Sequence, residues 1–170
     1  MIKEIEAKSI LSVNDHPEYW FGAKYTMNIY RGCEHRCIYC DSMSQCYRID
    51  NFEDVLVKAN AIELLREELS RKRIKGIIGT GAMSDPYTFV EGKYKLTEKA
   101  LKCISDFGFS IHMITKSDMV LRDKEILKQI SKTHASVAFT ITTVDDLLSL
   151  KVEPFAPSPT RRLKAMKELS

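Results

Sequence analysis

From Tyr25 onward, short apolar runs alternate with amphipathic stretches, and this rhythm limits the chain to one class of architecture. Residues 25–29 (YTMNI) read as a strand. Residues 61–72 read as a helix, with Asn60 as its cap, Glu63 three positions later, and Ile62, Leu65 and Leu69 at helical spacing. Residues 74–79 (IKGIIG) read as a short buried strand. The stretch 97–107 is the next helix, with Thr97 at its N-cap, Gly108 just past its end, and an apolar face of Ala100, Leu101, Ile104 and Phe107. Residues 109–114 resume strand character. Asp123 then caps a helix whose core face holds Ile126, Leu127 and Ile130. Residues 135–142 (ASVAFTIT) are β-branched and apolar and make a fourth strand. A loop with Pro154, Pro157 and Pro159 leads into a last helix, RRLKAMKEL. Strands alternating with helices imply a parallel sheet with right-handed crossovers. Residues 1–24 stand outside this rhythm as an N-terminal extension, with Trp20 and Phe21 expected against the sheet.

The 170 residues suffice for one domain with a sizeable core. Hydrophobic residues make up 44% and charged residues 29%, as in ordinary globular proteins. No run approaches the ~18 uninterrupted apolar residues of a membrane helix, and MIKEIEAKSI does not read as a secretory signal, so a cytoplasmic protein without membrane contact is expected. A net charge of +3 is too small to argue for nucleic acid by itself. The one dense basic run, Arg71-Lys72-Arg73-Ile74-Lys75, suits a solvated helix end better than a phosphate contact.

Three of the five cysteines, Cys33, Cys37 and Cys40, fall within eight residues. An odd, clustered set without an export signal argues against a disulfide framework and for a metal or redox role. Thiolates are soft ligands suited to iron–sulfur clusters and zinc. Three of them on a short loop can hold one cubane-type cluster and leave one iron open for a ligand. The zinc alternative would recruit His35 or Cys46, but zinc sites usually show two separated ligand pairs, and no second pair is visible. Cys103 reads as a small core residue of helix 97–107.

Cys33-Glu34-His35-Arg36-Cys37-Ile38-Tyr39-Cys40 resembles the C-x3-C-x-aromatic-C signature of the radical S-adenosylmethionine (radical SAM) superfamily, with Tyr39 at the aromatic position. Together with NIYRGCEHRCIYCD, the segments GTGAMSDPY, TKSDMVLRD, TITT and EPFAPSPTRRL resemble the spore photoproduct lyase-related, DNA repair photolyase-like branch. The resemblance implies a partial (β/α) barrel. It also implies a 4Fe–4S cluster on Cys33, Cys37 and Cys40, and S-adenosylmethionine chelated to the fourth iron and cleaved to a 5′-deoxyadenosyl radical. A flavodoxin- or ferredoxin-like reductant would supply the electron. The substrate stays open, with nucleic acid among the candidates.

The remaining roles are carried over one by one. Gly79 and Gly81 let the backbone come close to a ligand, and by resemblance their loop holds the methionine amino group. Ser84 and Asp85 offer polar contacts there, Lys116 neutralises the cofactor carboxylate, and Thr140, a better match than Thr142, hydrogen-bonds the cofactor. Glu153 is either on the substrate side or an exposed loop carboxylate. No residue is assigned a catalytic role. Each motif also falls just after a strand, and active sites of parallel barrels gather at the carboxyl ends of strands.

Two departures argue against true thymine-dimer repair. The cysteine that returns a hydrogen atom in spore photoproduct lyase corresponds to Ala82, and the tyrosine after the third cluster cysteine corresponds to Asp41. The superfamily core has six strand–helix units and about four are found. The expected layout is therefore an extension over 1–24 and, over 25–170, the N-terminal part of a radical SAM core domain. Cluster binding without turnover, as a fragment or redox module, is the alternative that follows, with a structural zinc domain behind it. On this reading the chain alone binds a cluster weakly, and strand 135–142 has an unpaired edge.

Overall fold

The computed structural model describes residues 2–17, 21–47 and 51–170. Trp20 lies outside them. The strands are β1 (Ile2–Ile5), β2 (Leu11–Val13), β3 (Ala23–Met27), β4 (Tyr30–Arg31), β5 (Val55–Lys58), β6 (Ile77–Thr80), β7 (Ser110–Thr115) and β8 (Ala135–Phe139). The helices are α1 (Ala61–Arg71), α2 (Glu91–Tyr94), α3 (Leu96–Asp106), α4 (Lys124–Ile130), α5 (Asp146–Val152) and α6 (Pro159–Leu169).

The main sheet runs β2-β3-β6-β7-β8. Its pairs β3–β6, β6–β7 and β7–β8 are parallel, while β2 joins β3 antiparallel. This is a partial α/β barrel in which the four strands read from the sequence are consecutive neighbours. A smaller sheet, β1-β5-β4, was not foreseen. It uses the first residues of the chain, Ile2–Ile5, against Val55–Lys58. The segment before Tyr25 therefore pairs with both sheets.

Alternation sets which face is which. Ile78, Ile111 and Met113 are buried against α1, α3 and α4, with Leu65, Leu69, Leu101 and Ile104 closing the core from the helices. Each such side chain contributes about 1.5–3 kcal/mol of burial. In the row Thr26, Gly79, His112 and Ser136, cross-strand partners line up on adjacent strands. β8 pairs only with β7, so its other edge is unpaired among the described strands.

Local chemistry departs from the sequence reading at several ends. Asn60 precedes α1, but its side chain bonds the Ala7 backbone (2.9 Å to N and to O) instead of capping the helix. Thr97 is not the cap of α3. The helix begins at Leu96, Lys95 is left-handed, and the Thr97 hydroxyl donates to Pro86 O at 2.6 Å. Asp123 flanks α4 without capping it, because its carboxylate is taken by Tyr87 and Arg122. The fourth strand stops at Phe139 rather than residue 142, and a helix, α5, stands where only loop was read. Asp145 caps it through the Leu147 and Leu148 amides, a signal hidden in a segment too short to show a helical period. The basic run ends α1 as a surface feature. Arg71 pairs with Glu67, Lys72 lies over Tyr25, and Lys75 lies over Phe109.

Candidate cofactor site

The cysteine loop follows β4, and its backbone path is forced. Gly32 has φ +98°, and a Cβ there would sit 2.6 Å from Phe52 O and 2.7 Å from Asp54 O. Its N–H donates to Ser84 Oγ at 3.1 Å, and Cys33 N–H donates to Phe52 O at 2.9 Å. Glu34 holds the loop from below, its Oε2 accepting the Val90 N–H at 2.8 Å and the Thr88 hydroxyl at 3.1 Å. Arg36 takes a left-handed φ of 51°, and its guanidinium reaches Glu53 at 3.0 Å and lies over Phe155.

A cavity of about 420 Å³ opens over this loop, and Cys33, Cys37 and Cys40 all line it. Tyr39, Gly81, Asp85, Lys116 and Thr140 line it too. Thus the carboxyl ends of β6, β7 and β8 meet the cysteine loop in one space. Two of the expected residues lie elsewhere. Gly79 lines a second cavity deeper in the sheet, and Ser84 lines a third beside Lys58.

Gly81 has φ +94°, and a Cβ would fall 1.9 Å from Ile114 O, so only glycine lets this loop cross the end of β7. The Asp85 carboxylate is engaged by its own chain. It accepts the Tyr87 N–H (2.9 Å), the Thr115 hydroxyl (2.7 Å) and the Lys116 N–H (2.7 Å). Lys116 Nζ lies 5.6 Å from the Tyr39 ring centre, which keeps its charge at the cavity. Thr140 N–H continues the ladder to Thr115 O at 3.1 Å, and Thr140 O accepts Arg162 Nη1 at 3.0 Å.

Electrostatics favour the protonated thiol at Cys33 and at Cys37. Burial and the nearby Asp85 charge push the Cys33 thiol up to about 12. Burial also raises Cys37, against the pull of Lys116. His35 lies 3.5 Å from Asp85, and burial outweighs that carboxylate and lowers its pKa, so the contact is polar rather than ionic.

Sequence reasoning placed Glu153 on the substrate side or in solvent. It is only 1% exposed and paired with Arg162, itself 0% exposed. Arg162 Nη2 lies 2.5 Å from Glu153 Oε2, and Tyr39, Thr142 and Ser149 donate their hydroxyls to the same carboxylate. Two backbone bonds run alongside, Ile38 N–H to Val152 O at 2.9 Å and Phe155 N–H to His35 O at 3.3 Å. The segment after α5 is therefore a brace on the cysteine loop. Its one sequence signal was Glu153 and Arg162 flanking the prolines, which does not reveal a pairing.

The family model for the radical SAM superfamily matches residues 27–170. The chain belongs to the radical SAM superfamily. An uncharacterized protein of Methanocaldococcus jannaschii is 36% identical over 171 residues, covering 99% of this chain and 62% of that protein. One from Mycobacterium tuberculosis is 31% identical over 148 residues, covering 82% of this chain and 44% of its own length. Spore photoproduct lyase complexed with dinucleoside spore photoproduct superposes with a TM-score of 0.65 at 16% identity, over 99% of this chain and 47% of that one. A double mutant of that lyase with bound AdoMet gives the same TM-score, 0.65. The radical SAM fold is thus present as a part. The chain spans less than two thirds of each of these relatives.

Among the described residues, no three His, Cys, Asp or Glu side chains are gathered tightly enough to hold a metal ion as they stand. The donor set nonetheless suits a cluster of the superfamily's kind. All three motif cysteines are free, and all three line one cavity that Lys116 also lines. The zinc arrangement fits less well. Cys46 is exposed, 2.9 Å from Ser44 Oγ, and is not part of the cavity wall, while His35 lines the cavity with its Nδ1 3.5 Å from Asp85. Cys103 is fully buried in α3, as its apolar face predicts. No helix of the described residues is long and apolar enough to cross a membrane.

Proposed function

We propose that this chain is the cofactor-binding part of a radical SAM enzyme, with Cys33, Cys37 and Cys40 holding a 4Fe–4S cluster. The observation that carries it is the single cavity shared by the three cysteines, the Gly81 loop, Lys116 and Thr140. Once bound, such a cluster would supply the electron that breaks a sulfonium carbon–sulfur bond of S-adenosylmethionine, releasing methionine and leaving a carbon radical able to take hydrogen from a substrate. The chain's own residues do the positioning. The Gly81 loop brings backbone within reach of a ligand at the end of β6. Lys116 supplies a cation for a carboxylate. Thr140 and Tyr39 line the remaining wall. Asp85 lines the cavity with its carboxylate already engaged by neighbouring groups. It fixes the ends of β6 and β7 against each other, so that Lys116 stays in place.

Spore photoproduct lyase acts on a dinucleoside lesion, but Ala82 lies on the cavity wall where that enzyme's hydrogen-returning cysteine corresponds, and a methyl group does not donate hydrogen in that role. The substrate of this chain is therefore of another class or is processed to another end, and a low-potential flavodoxin- or ferredoxin-like protein is the proposed electron source. The second reading is cluster binding without turnover.

Anaerobic reconstitution with iron and sulfide separates these readings. A brown protein with about four irons per chain that forms 5′-deoxyadenosine under strong reductant supports the enzyme, and colour without that product supports the second reading. Cys37→Ala should abolish both signals. Uptake of zinc with no colour would overturn the proposal.

A further inference from the structure

The small sheet builds a second space that the cofactor site does not use. Its parallel strands β1 and β5 end at Ile5 and Lys58, and ligands of open parallel sheets bind beyond such carboxyl ends. The chain after β1 folds back over this end. Asn60 holds both backbone groups of Ala7 at 2.9 Å, and the Glu68 carboxylate accepts the Ile10 N–H at 3.0 Å and the Leu11 N–H at 2.7 Å. This turn, β4 and Met83-Ser84 after β6 bound a cavity of about 390 Å³, within the ~300–1,000 Å³ range of small-molecule sites.

Charge defines what this space accepts. Lys8, Arg31 and Lys58 line it, and among the described residues no Asp or Glu does. Lys8 and Arg31 are exposed, while Lys58 is partly buried and is the fixed member. Its Nζ donates to the carbonyl of Asn28, which also lines the cavity, at 2.5 Å. Lys58 forms no ion pair among the described residues. An ammonium has three donors, so two remain for a ligand. Burial and the Arg31 charge lower the Lys58 pKa against the pull of Glu68. Two like charges are thus held near each other, and a bound anion relieves their repulsion. A phosphate monoester carries up to about two negative charges and three acceptor oxygens, which suits cations converging from three segments. A nucleic-acid backbone instead spreads single charges along a track, which calls for a basic stripe rather than a pocket.

We infer that this cavity binds the phosphate monoester group of a small substrate, with Lys58 as its fixed cation and Arg31 and Lys8 adding charge. The position gives the site its meaning. Tyr47 and Met83 line both this cavity and the cysteine cavity, so the two spaces are neighbours. A molecule anchored here by its phosphate can extend past Met83 toward the cysteines. Ser84 lines the phosphate side, and its Oγ accepts the N–H of Gly32, the residue before Cys33, so one wall is tied to the start of the cysteine loop. That the phosphate belongs to the substrate of radical chemistry rests on the radical SAM reading. That the cavity takes a phosphate does not.

The test adds methyl phosphate, dimethyl phosphate, acetate or a short single-stranded DNA to the full chain without iron. The readout is the backbone amide NMR signals of Ala7, Ser9 and Arg31. At about pH 8, where the monoester carries two charges, methyl phosphate should shift them saturably. Dimethyl phosphate and acetate, with one charge each, should bind at least about tenfold more weakly. Lys58→Met keeps the length of the side chain and removes the charge, and should weaken methyl phosphate at least about tenfold. Lys58→Arg should restore much of the binding and guards against a variant that fails to fold. Lys102→Met, on the surface of α3 beside Glu98 and outside the cavity, should change nothing. Cys37→Ala should leave methyl phosphate binding unchanged while losing iron, which separates this site from the cluster proposal. No saturable shift, equal binding of the three small anions, tighter binding of the DNA than of methyl phosphate, or undiminished binding to folded Lys58→Met would overturn the inference.

Discussion

The molecule contains two buried glutamate–arginine nodes of nearly the same chemistry, and they do different work. In the first, Glu91 is fully buried and accepts from Tyr30, from the Thr97 N–H at 2.9 Å and from Arg122 Nη2 at 2.6 Å. It ties β4 to the start of α3. Arg122 is 26% exposed and also bonds Asp123. In the second, Glu153 and Arg162 are both sealed from water, and their partners are the cysteine loop and the end of β8. The first node is an internal staple of the fold. The second fixes the part of the chain that would hold a cofactor.

The largest expected effect comes from removing either carboxylate. Glu153→Ala strands the Arg162 charge in a site with no water, which costs about 3–5 kcal/mol. Glu91→Ala leaves Arg122 with Asp123 and a path to solvent, so about 2–3 kcal/mol is expected, mostly from the unpaired Tyr30 hydroxyl and backbone amides. Urea unfolding midpoints measure both. The contrast lies in a second readout, iron retained per folded molecule after reconstitution. Glu91→Ala should retain it and Glu153→Ala should lose it. Equal losses would erase the distinction between the nodes.

Acid sharpens the same comparison. Burial pushes the Glu153 carboxyl up, but the Arg162 guanidinium and the Tyr39 hydroxyl outweigh it, and its pKa lies below the ordinary value. A carboxyl depressed in the folded state contributes stability that is fully present above its unfolded pKa, about 4.3 for glutamate, and lost as pH falls through the lower folded value. Glu153→Gln removes that titration. Its unfolding free energy should fall less steeply between about pH 4 and pH 2, by up to about 1.4 kcal/mol per pH unit. Unfolding midpoints across that range decide it, and identical slopes would show that the brace carries no acid-linked stability.

Why neither node was legible in the sequence follows from what periodicity encodes. The strands from Tyr25, Ile77, Ser110 and Ala135 and the helices between them are written in local hydrophobic spacing, and three cysteines within eight residues are a local pattern too. Lys116 and Thr140 were named through the family resemblance, and both line the cysteine cavity, just after β7 and β8. Contacts such as Tyr39–Glu153, 114 residues apart, leave no local trace. The same holds for Glu34, which accepts the Thr88 hydroxyl 54 residues away. Short elements also escaped. β4 has two residues and α5 seven, too few for a period to stand out. Thr97 and Asn60 have the composition of caps, but tertiary partners, Pro86 and Ala7, claim their side chains.

The smallest expected effect belongs to Tyr39→Phe, and it asks through which atoms the brace works. The substitution removes one hydroxyl from Glu153. Thr142 still donates to the same oxygen at 3.1 Å, and Arg162 remains paired. The ring stays beside Lys116, 5.6 Å from its ammonium, so the cavity wall keeps its shape. A loss of about 0.5–1.5 kcal/mol is expected. Iron retention per folded molecule should stay near that of the unmodified chain, because the cysteine loop is also held by Ile38 N–H to Val152 O and Phe155 N–H to His35 O, which do not pass through the phenol. If Tyr39→Phe instead loses as much iron as Glu153→Ala, the phenol is the link that transmits the buried pair to the loop, and the backbone bonds are bystanders.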